Sequence, residues 1–435
     1  MKRLLVVAHQ FPPAGGIGVQ RILRFCRDLP LHGWRPVILT GYGTEYPLRD
    51  SALLQCLHPG LKVVRADLPM ALKRYLPRLA PSGSNGGKGF FRKLGFRFWI
   101  YDDFYPWIFS AYLRGRRIMK DFSPDAVLAT GSPFCSLIAA DLIIGLRDVP
   151  LLVDFRDGWH ECPYRRMRGS MPNRLEGILE QRILRRCRNA FFVTQGLVGQ
   201  YRQKYPNLAH KFVWLPNGYE TGNSHPENRP FPQPGNELRV KYIGQFTPYR
   251  RPDAFLRGLG KAVRNLGCAD ITVEFVGGLD HEAWRVIEAQ DLVRFVKVTP
   301  FLPHEEAKTH AWSADVLLLL VDRSPGYRVI QTGKIFEYMP SRRPILCISP
   351  LDSEASQTVI RENLGIVVPP EDEEGIARAL ERWAHEKKTS GAVCPNSHAL
   401  PRAYDQVGIS TRLARYLDAG IRNSPDGTET AAQYA

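Results

Sequence analysis

The glycine loop at residues 14–18 (AGGIG) has the composition and position that anion binding requires. It follows a short apolar run and precedes a helical pattern. Glycines let backbone amides approach an anion closely, and the N-terminus of the following helix adds favourable partial charge. Gly15, Gly16 and Gly18 are therefore candidates for binding a phosphate. The alternative is a tight turn that holds no ligand.

A second cluster, at residues 154–161 (DFRDGWHE), begins directly after the apolar run 151–153. Polar groups at the C-terminal end of a strand stand where α/β proteins place their sites. Asp154 and Asp157 flank Arg156. Either the two acids form a fixed charge network with Arg156, or one of them accepts a proton or a hydrogen bond from a sugar hydroxyl. His160 is a further candidate in the same loop.

The second half of the chain carries a basic turn, Arg250-Arg251, after a strand that ends near Gln245. The turn opens a helical pattern at Asp253. Two guanidiniums beside a helix start suit a diphosphate, because each offers bidentate hydrogen bonds and keeps its charge at pH 7. A solvated basic turn is the alternative.

The last cluster is residues 331–339 (QTGKIFEYM). Thr332 is predicted to be the N-cap of a helix that starts at Gly333, which places Lys334 and Glu337 on one face. Lys334 can meet a phosphate there, and Glu337 can accept two hydrogen bonds from a ribose diol. An ordinary ion pair between Lys334 and Glu337 is equally compatible with the pattern.

The elements that must position these loops alternate regularly along the 435 residues. Continuous apolar strands separated by helical patterns predict parallel sheets covered on both faces. The predicted strands are 4–8, 36–40, 62–65, 126–129, 151–153, 190–193 and 212–215, followed by 239–243, 271–276, 295–298, 316–321, 344–348 and 365–368. Helical patterns include 19–31, 253–266, 303–311, 333–339, 373–387 and 402–420.

The change of composition near residue 222 predicts a domain boundary. We expect a Rossmann-like domain at 1–222, a proline-rich linker at 223–237 and a second Rossmann-like domain at 238–400. A helix at 401–422 is expected to pack back on the first domain, and 423–435 to form a disordered tail. The fold class predicted is thus α/β, with two doubly wound domains facing across a cleft.

The net charge of +16 lies entirely in the first half, where residues 1–237 hold 34 basic and 18 acidic groups. Such a field implies an anionic partner. Residues 73–120 combine eleven basic groups with many aromatic residues, which is typical of a segment on an anionic membrane surface. A buried aromatic helix pair with a solvated rim is the alternative. Single-stranded nucleic acid is disfavoured, since no RNA- or DNA-binding module is recognisable.

The eight cysteines are scattered and include no Cys-x-x-Cys pair, which predicts reduced thiols in a cytoplasm. The N-terminal residues 1–8 indicate a first strand, not a signal peptide. No Asp-x-Asp motif or histidine cluster suggests a metal. No acidic residue follows the second strand near Thr40, where a dinucleotide-binding protein would place one, so a dehydrogenase is disfavoured.

Together, these segments resemble the GT-B glycosyltransferases, specifically the retaining family 4 of bacterial sugar transferases. The resemblance covers the chain from the glycine loop to about residue 387, in the family's order. The matching segments are residues 11–16 (FPPAGG), 216–220 (PNGYE), 244–250 (GQFTPYR), 332–339 (TGKIFEYM) and 343–346 (RPIL). The motif at 154–157 (DFRD) resembles a subset that acts on surface polysaccharides.

The resemblance implies transfer of a sugar from a UDP- or GDP-type donor, with retention, to a glycan or lipid-linked acceptor. It makes 1–222 the acceptor-binding domain and 238–400 the nucleotide-sugar-binding domain. It places the leaving diphosphate against Arg250, Arg251, Lys334 and the amides near Gly15 and Gly16. The ribose would bind Glu337, and Phe301 and Leu302 would lie near the base. Asp157, Arg156 or His160 would orient the donor sugar or acceptor. Three positions depart from the family: Val329 replaces a glutamate, Gln245 an arginine, and Arg156 a histidine. A GT-B-like protein that binds a sugar nucleotide or glycan without turnover, and a nucleotide-dependent oxidoreductase, are the competing hypotheses.

Overall fold

The computed structural model describes most of the chain as two compact units. The described residues are 1–42, 49–67, 106–159, 170–220, 232, 234–246, 250–267, 271–300, 302, 304–321, 326–394 and 400–422. The first unit comprises Met1–Asn217 together with the chain from Gln406 onward, and the second comprises Gly218–Asp405.

The first unit is built on a seven-stranded parallel sheet. Its central strands are buried on both faces, as their continuous apolar runs require, whereas the edge strand at Lys62–Arg65 is partly exposed. The strands are β1 (Lys2–Val7), β2 (Trp34–Thr40), β3 (Lys62–Arg65), β4 (Ala126–Gly131), β5 (Leu151–Phe155), β6 (Asn189–Phe192) and β7 (Phe212–Trp214). They lie in the order β3-β2-β1-β4-β5-β6-β7. The order reverses between β1 and β4, which is where a doubly wound sheet forms a binding crevice at its C-terminal edge.

The described helices of the first unit pack against this sheet. They are α1 (Ile17–Asp28), α2 (Trp107–Asp121), α3 (Cys135–Ile144), α4 (Ser170–Arg186), α5 (Gln195–Lys204) and α12 (Gln406–Ile421). Although α12 comes last in the chain, its buried face (Ile409, Leu413 and Leu417) belongs to the core of the first unit. The Trp34 indole donates a 2.9 Å hydrogen bond to Asp418, which ties α12 to β2.

The second unit repeats the same winding with six parallel strands. They are β8 (Leu238–Ile243), β9 (Ile271–Val276), β10 (Val296–Thr299), β11 (Val316–Leu320), β12 (Ile345–Ile348) and β13 (Gly365–Val368). Their order is β10-β9-β8-β11-β12-β13. The reversal therefore lies between β8 and β11, so the loop after β8 stands at the expected binding position.

The helices of the second unit begin at side-chain caps where the sequence supplies them. They are α6 (Asp253–Leu266), α7 (His281–Ala289), α8 (His304–Trp312), α9 (Lys334–Tyr338), α10 (Glu354–Arg361) and α11 (Glu373–Ser390). Asp280, Ser353 and Asp372 cap α7, α10 and α11 through hydrogen bonds to backbone amides. A Cβ on Gly258 would meet Ile376, so α6 and α11 approach closely because residue 258 is glycine.

The fold class predicted from the sequence is confirmed, and each predicted strand is present within two residues of its expected ends. The units divide at 217/218 and 405/406, where the sequence suggested 222 and 400. Most of the expected linker 223–237, residues 73–105 of the basic aromatic segment and the tail 423–435 lie outside the described residues. None of the described helices combines the length and hydropathy needed to span a bilayer.

Candidate functional site

Two glycines bring the backbone and one cationic side chain together at the C-terminal edge of the second sheet. Gly244 follows β8 with φ of 130°, and the Lys334 side chain occupies the space that a Cβ there would need. Gly277 follows β9 with φ of 124°, and its Cβ would lie 2.6 Å from the Gly244 carbonyl oxygen. Both positions therefore require glycine, and the sheet edge stays open beside Lys334.

Lys334, the first residue of α9, is held against Tyr242 of β8. Its ammonium lies 4.1 Å from the centroid of the tyrosine ring and donates a 2.7 Å hydrogen bond to the hydroxyl. Burial holds the pKa of Lys334 well below its ordinary value, and the Arg250 guanidinium lowers it further, while Glu337 acts in the opposite sense. A bound anion would favour the charged form of Lys334 and so counteract both the burial and the repulsion from Arg250.

Tyr242 is a structural partner that the sequence analysis did not single out. Its ring stacks on Phe246 with 4.6 Å between centroids. Its hydroxyl also donates to the Gln245 carbonyl oxygen at 3.2 Å. Burial raises the pKa of Tyr242 to about 12, so the hydroxyl stays protonated at neutral pH. Tyr242 thereby fixes both Lys334 and the loop after β8. Buried and half-buried residues alternate along β8, and the matching alternation in the sequence was the signal that Tyr242 points into the unit.

The two adjacent arginines of the basic turn have opposite environments. The Arg250 Nε is buried and has no hydrogen-bond partner among the described residues. Arg251 lies within 2.7 Å of Asp253, 3.0 Å of Asp280 and 2.8 Å of Glu282. The structure thus offers Arg250 to a ligand, whereas the charge of Arg251 is already neutralised by three carboxylates. The prediction that both arginines face a diphosphate needs this correction.

The other residues predicted to bind the donor differ in their burial and in their contacts. Gly333, not Thr332, occupies the N-cap of α9, because the chain enters the helix one residue later than expected and no side chain caps it. Lys334 hydrogen-bonds Tyr242, and Glu337 acts on it electrostatically by favouring its charged form. Glu337 is half-buried on α9, Gln245 is exposed and Leu302 is half-buried. Phe301 lies outside the described residues.

In the first unit, Arg156 lies directly against the glycine loop. Its Nη1 atom occupies the space that a Cβ on Gly18 would need, in the first turn of α1. Its backbone amide donates a 2.7 Å hydrogen bond to the Gly131 carbonyl, which fixes the loop after β5 to the end of β4. Gly16 caps α1 with φ of 99°, and Gly15 precedes it, half-buried. The structure therefore brings Arg156 and the glycine loop together.

Asp154 has a different environment from the one expected of a catalytic acid. It is fully buried, and its carboxylate accepts hydrogen bonds from Arg21 at 2.8 Å and Thr130 at 2.9 Å. Arg21 also donates to the carbonyl oxygens of Leu215 and Pro216 at 2.8 and 2.6 Å. This buried pair joins α1 to the ends of β5 and β7. The geometry fits a positioning role for Asp154 and gives no route to a substrate.

Asp157 remains available, since it is exposed and accepts one 2.9 Å hydrogen bond from Ser132. His160 lies outside the described residues. His9 is a residue that the sequence analysis missed at this edge. It lies two residues after the end of β1 and is buried with its ring edge-on to Trp107 at 5.0 Å, and burial lowers its pKa to about 3. Its place at a strand end was the available signal.

Neither a protein-family model nor a curated protein sequence matches this chain. Solved structures do. Anabaena HepE in complex with UDP has a TM-score of 0.65 at 15% identity, over 96% of this chain and 100% of that one. Sucrose-phosphate synthase from Thermosynechococcus elongatus has a TM-score of 0.64 at 14% identity, over 98% and 100%. The lipopolysaccharide outer core galactosyltransferase WaaB has a TM-score of 0.59 at 12% identity, over 97% and 99%. With its two parallel-sheet units, the chain has the GT-B fold of these glycosyltransferases.

Proposed function

We propose that this protein is a glycosyltransferase that binds a nucleoside-diphosphate sugar at the C-terminal edge of the second sheet. It transfers the sugar, with retention of anomeric configuration, to a glycan or lipid-linked acceptor in the synthesis of a cell-surface polysaccharide. HepE was solved with UDP and with UDP-glucose, which supports a donor of this type. Retention, the acceptor class and the surface role rest on the resemblance to family 4.

The observation that carries the proposal is a pair of cations: Lys334, which packs on Gly244, and Arg250, which acts on Lys334 electrostatically. The Nε of Arg250 is buried without a hydrogen-bond partner in the described chain, and the pKa of Lys334 is lowered by burial and by Arg250 itself. Two like charges held close together in a buried position are unfavourable unless an anion joins them. A diphosphate supplies that anion and can accept several charge-assisted hydrogen bonds.

These residues also have a defined part in the chemistry. When the bond from the sugar to the diphosphate breaks, negative charge develops on the leaving oxygen. Arg250 and Lys334 stabilise that charge from positions fixed by the fold, so no reorganisation is needed at the moment of reaction. Glu337, three residues after Lys334 on α9, binds the ribose hydroxyls. The amides near Gly15 and Gly16 also bind the diphosphate, and Asp157, Arg156 or His160 orients the donor sugar or the acceptor.

The exposed face of α2 supports a further part of the proposal, association with an anionic membrane surface. Phe109 and Leu113 are 55% and 54% exposed on this helix. Arg114, Arg117 and Lys120 are exposed on it as well. An apolar face flanked by basic residues suits the interface of an anionic bilayer, where each cation contributes about 1 kcal/mol. A peripheral position on the inner face of the membrane would bring the enzyme to lipid-linked acceptors.

A thermal-shift screen of the purified protein against UDP, GDP, ADP, CMP and NAD tests the proposal. A ligand at 100 times its Kd stabilises the folded state by about 2.7 kcal/mol, which is readily measured. We expect a selective shift with UDP or GDP, and a smaller shift in a Glu337→Ala variant. A shift with NAD alone would indicate an oxidoreductase. The absence of a shift with every nucleotide would contradict the proposed donor site.

A further inference from the structure

The first unit contains a cavity that the proposed transfer reaction does not use. It has a volume of about 340 Å³ and lies between β2, β3 and the C-terminal half of α2. This volume is at the lower end of the roughly 300–1,000 Å³ that is typical of small-molecule pockets. One lining residue, Phe122, ends α2 four residues before β4 begins, so the cavity lies toward the N-terminal edge of the sheet. The glycine loop follows the end of β1 and therefore stands at the opposite edge.

The interior of this cavity is apolar. Val37 of β2 and Ile118 of α2 line it and are 2% and 7% exposed. Val64 of β3 and Phe122 line it as well and are half-buried. Because the free energy gained on binding grows with the apolar area removed from water, an interior of this kind favours a ligand with a hydrocarbon part.

Three cationic side chains line the same cavity, Lys62 from β3 and Arg114 and Arg117 from α2. Arg117 lies 3.4 Å from Asp121, the one carboxylate among the lining residues. Neither Lys62 nor Arg114 forms an ion pair or a side-chain hydrogen bond with any other part of the described chain. Three cations and one carboxylate leave two positive charges in excess, and they come from two different elements. An arginine and a lysine at one cavity suit a phosphate, which accepts bidentate hydrogen bonds from the arginine and a point contact from the lysine.

We propose that this cavity binds a single anionic membrane lipid, with its phosphate between Lys62 and Arg114 and the adjoining part of one chain on Val37, Val64 and Ile118. A free phosphate would leave the apolar interior in contact with water, and an uncharged chain would leave both cations without a counter-ion. The site takes no part in sugar transfer, so the inference goes beyond the proposed function. A lipid bound there would hold the first unit at the bilayer with one-to-one stoichiometry.

Isothermal titration calorimetry with butyl, hexyl and octyl phosphate tests this, each kept below its critical micelle concentration. The titrations use the full-length protein with saturating UDP, which occupies the proposed donor site. We expect one alkyl phosphate to bind per chain, and each methylene that enters the cavity to tighten binding about fourfold, which corresponds to about 0.8 kcal/mol. Inorganic phosphate should bind at least about a hundredfold more weakly than octyl phosphate. Octyltrimethylammonium, with the same chain and the opposite charge, should not bind.

Four variants locate the site. Lys62→Gln and Arg114→Gln should each raise the Kd for octyl phosphate about tenfold, the loss expected for one charge-assisted hydrogen bond. Val64→Phe fills part of the cavity and should reduce the gain in affinity per methylene. Lys120→Gln is the matched control, because Lys120 is exposed on α2 but does not line the cavity. It should bind octyl phosphate like wild type.

Three results would overturn the proposal. The first is octyl phosphate that does not bind, or binds no more tightly than butyl phosphate. The second is an equal Kd in wild type and Arg114→Gln, or equal losses in Arg114→Gln and Lys120→Gln, which would indicate attraction to the whole basic face of α2. The third is equal affinity for octanoate and octyl phosphate, which would exclude selection of a phosphate. The unfolding temperature of each variant shows that it is folded. Binding of octyl phosphate by a protein that binds no nucleotide would contradict the donor site alone.

Discussion

Replacing Arg250 by alanine should weaken nucleotide binding strongly without weakening the fold. Its Nε is buried without a hydrogen-bond partner in the described chain, so truncation breaks no hydrogen bond made by that atom. Arg250 also lowers the pKa of Lys334, so its removal raises that pKa and relieves a like-charge contact. We therefore expect an unchanged or slightly higher unfolding temperature for the ligand-free variant.

The magnitude of the binding loss follows from the hydrogen bonds at stake. A hydrogen bond to a charged group contributes about 1.5–3 kcal/mol. Losing one such bond raises the Kd for UDP or GDP about 10- to 100-fold, since each 1.4 kcal/mol is a factor of ten. Isothermal titration calorimetry with the nucleotide selected by the thermal-shift screen measures this change directly.

Arg251→Ala is the matched control, one position along the same turn. Its partners Asp253 and Glu282 are partly exposed, so the lost ion pairs cost about 1 kcal/mol or less in stability. The Kd for the nucleotide should stay within about threefold of the wild-type value, since less than 1 kcal/mol of binding free energy is involved. Equal losses in both variants, or wild-type binding in Arg250→Ala, would refute the assignment of Arg250 to the phosphate.

Three further predictions concern the fold and its surface. Lys387 and Asp315 form a 2.7 Å ion pair, and both side chains are 1% exposed. Lys387→Met should therefore lower the free energy of unfolding, measured in urea, by about 3–5 kcal/mol, and adding Asp315→Leu should restore most of that loss. A loss below about 1 kcal/mol in Lys387→Met would contradict this prediction. The pKa of Glu274 is lowered to about 2, so its contribution of roughly 3 kcal/mol is present above pH 4.5 and is lost as the pH falls toward 2. Calorimetric unfolding from pH 2 to 6 should show this dependence weakened in Glu274→Gln, and an identical pH profile would contradict it. Leu113→Ser on α2 should reduce the fraction of protein that sediments with phosphatidylglycerol vesicles. Leu146→Ser, a change at a fully exposed leucine outside α2, should leave that fraction unchanged. Equal effects of the two substitutions would argue against α2 as the membrane-binding face.

The strands were predictable because each is a continuous apolar run between turn signals. The run 316–321 could only be buried on both faces, and it forms the central strand β11. The glycine loop and Arg156 were singled out by the rule that sites follow strand ends, and Lys334 by its place at a predicted helix start. That rule uses local sequence alone, so it applies without knowing which helices and strands contact one another.

The parts that were missed depend on contacts between distant residues. Arg250 and Arg251 are indistinguishable in sequence, and they differ because Asp280 and Glu282, on a later element, reach only Arg251. Asp154 resembled a catalytic acid, because its partner Arg21 is 133 positions away and was not expected to be buried. Tertiary pairing of this kind leaves no periodic signal in the chain.

Chromatographic analysis of a reaction mixture tests the central claim most directly. The protein is incubated with a mixture of UDP- and GDP-sugars and a bacterial membrane lipid extract, and free nucleotides are separated by anion exchange. The account predicts release of a nucleoside diphosphate of one base from wild type, with matching incorporation of sugar into the lipid fraction, and little release from Arg250→Ala. Release of a nucleoside monophosphate, or conversion of a sugar nucleotide without any diphosphate release, would contradict it.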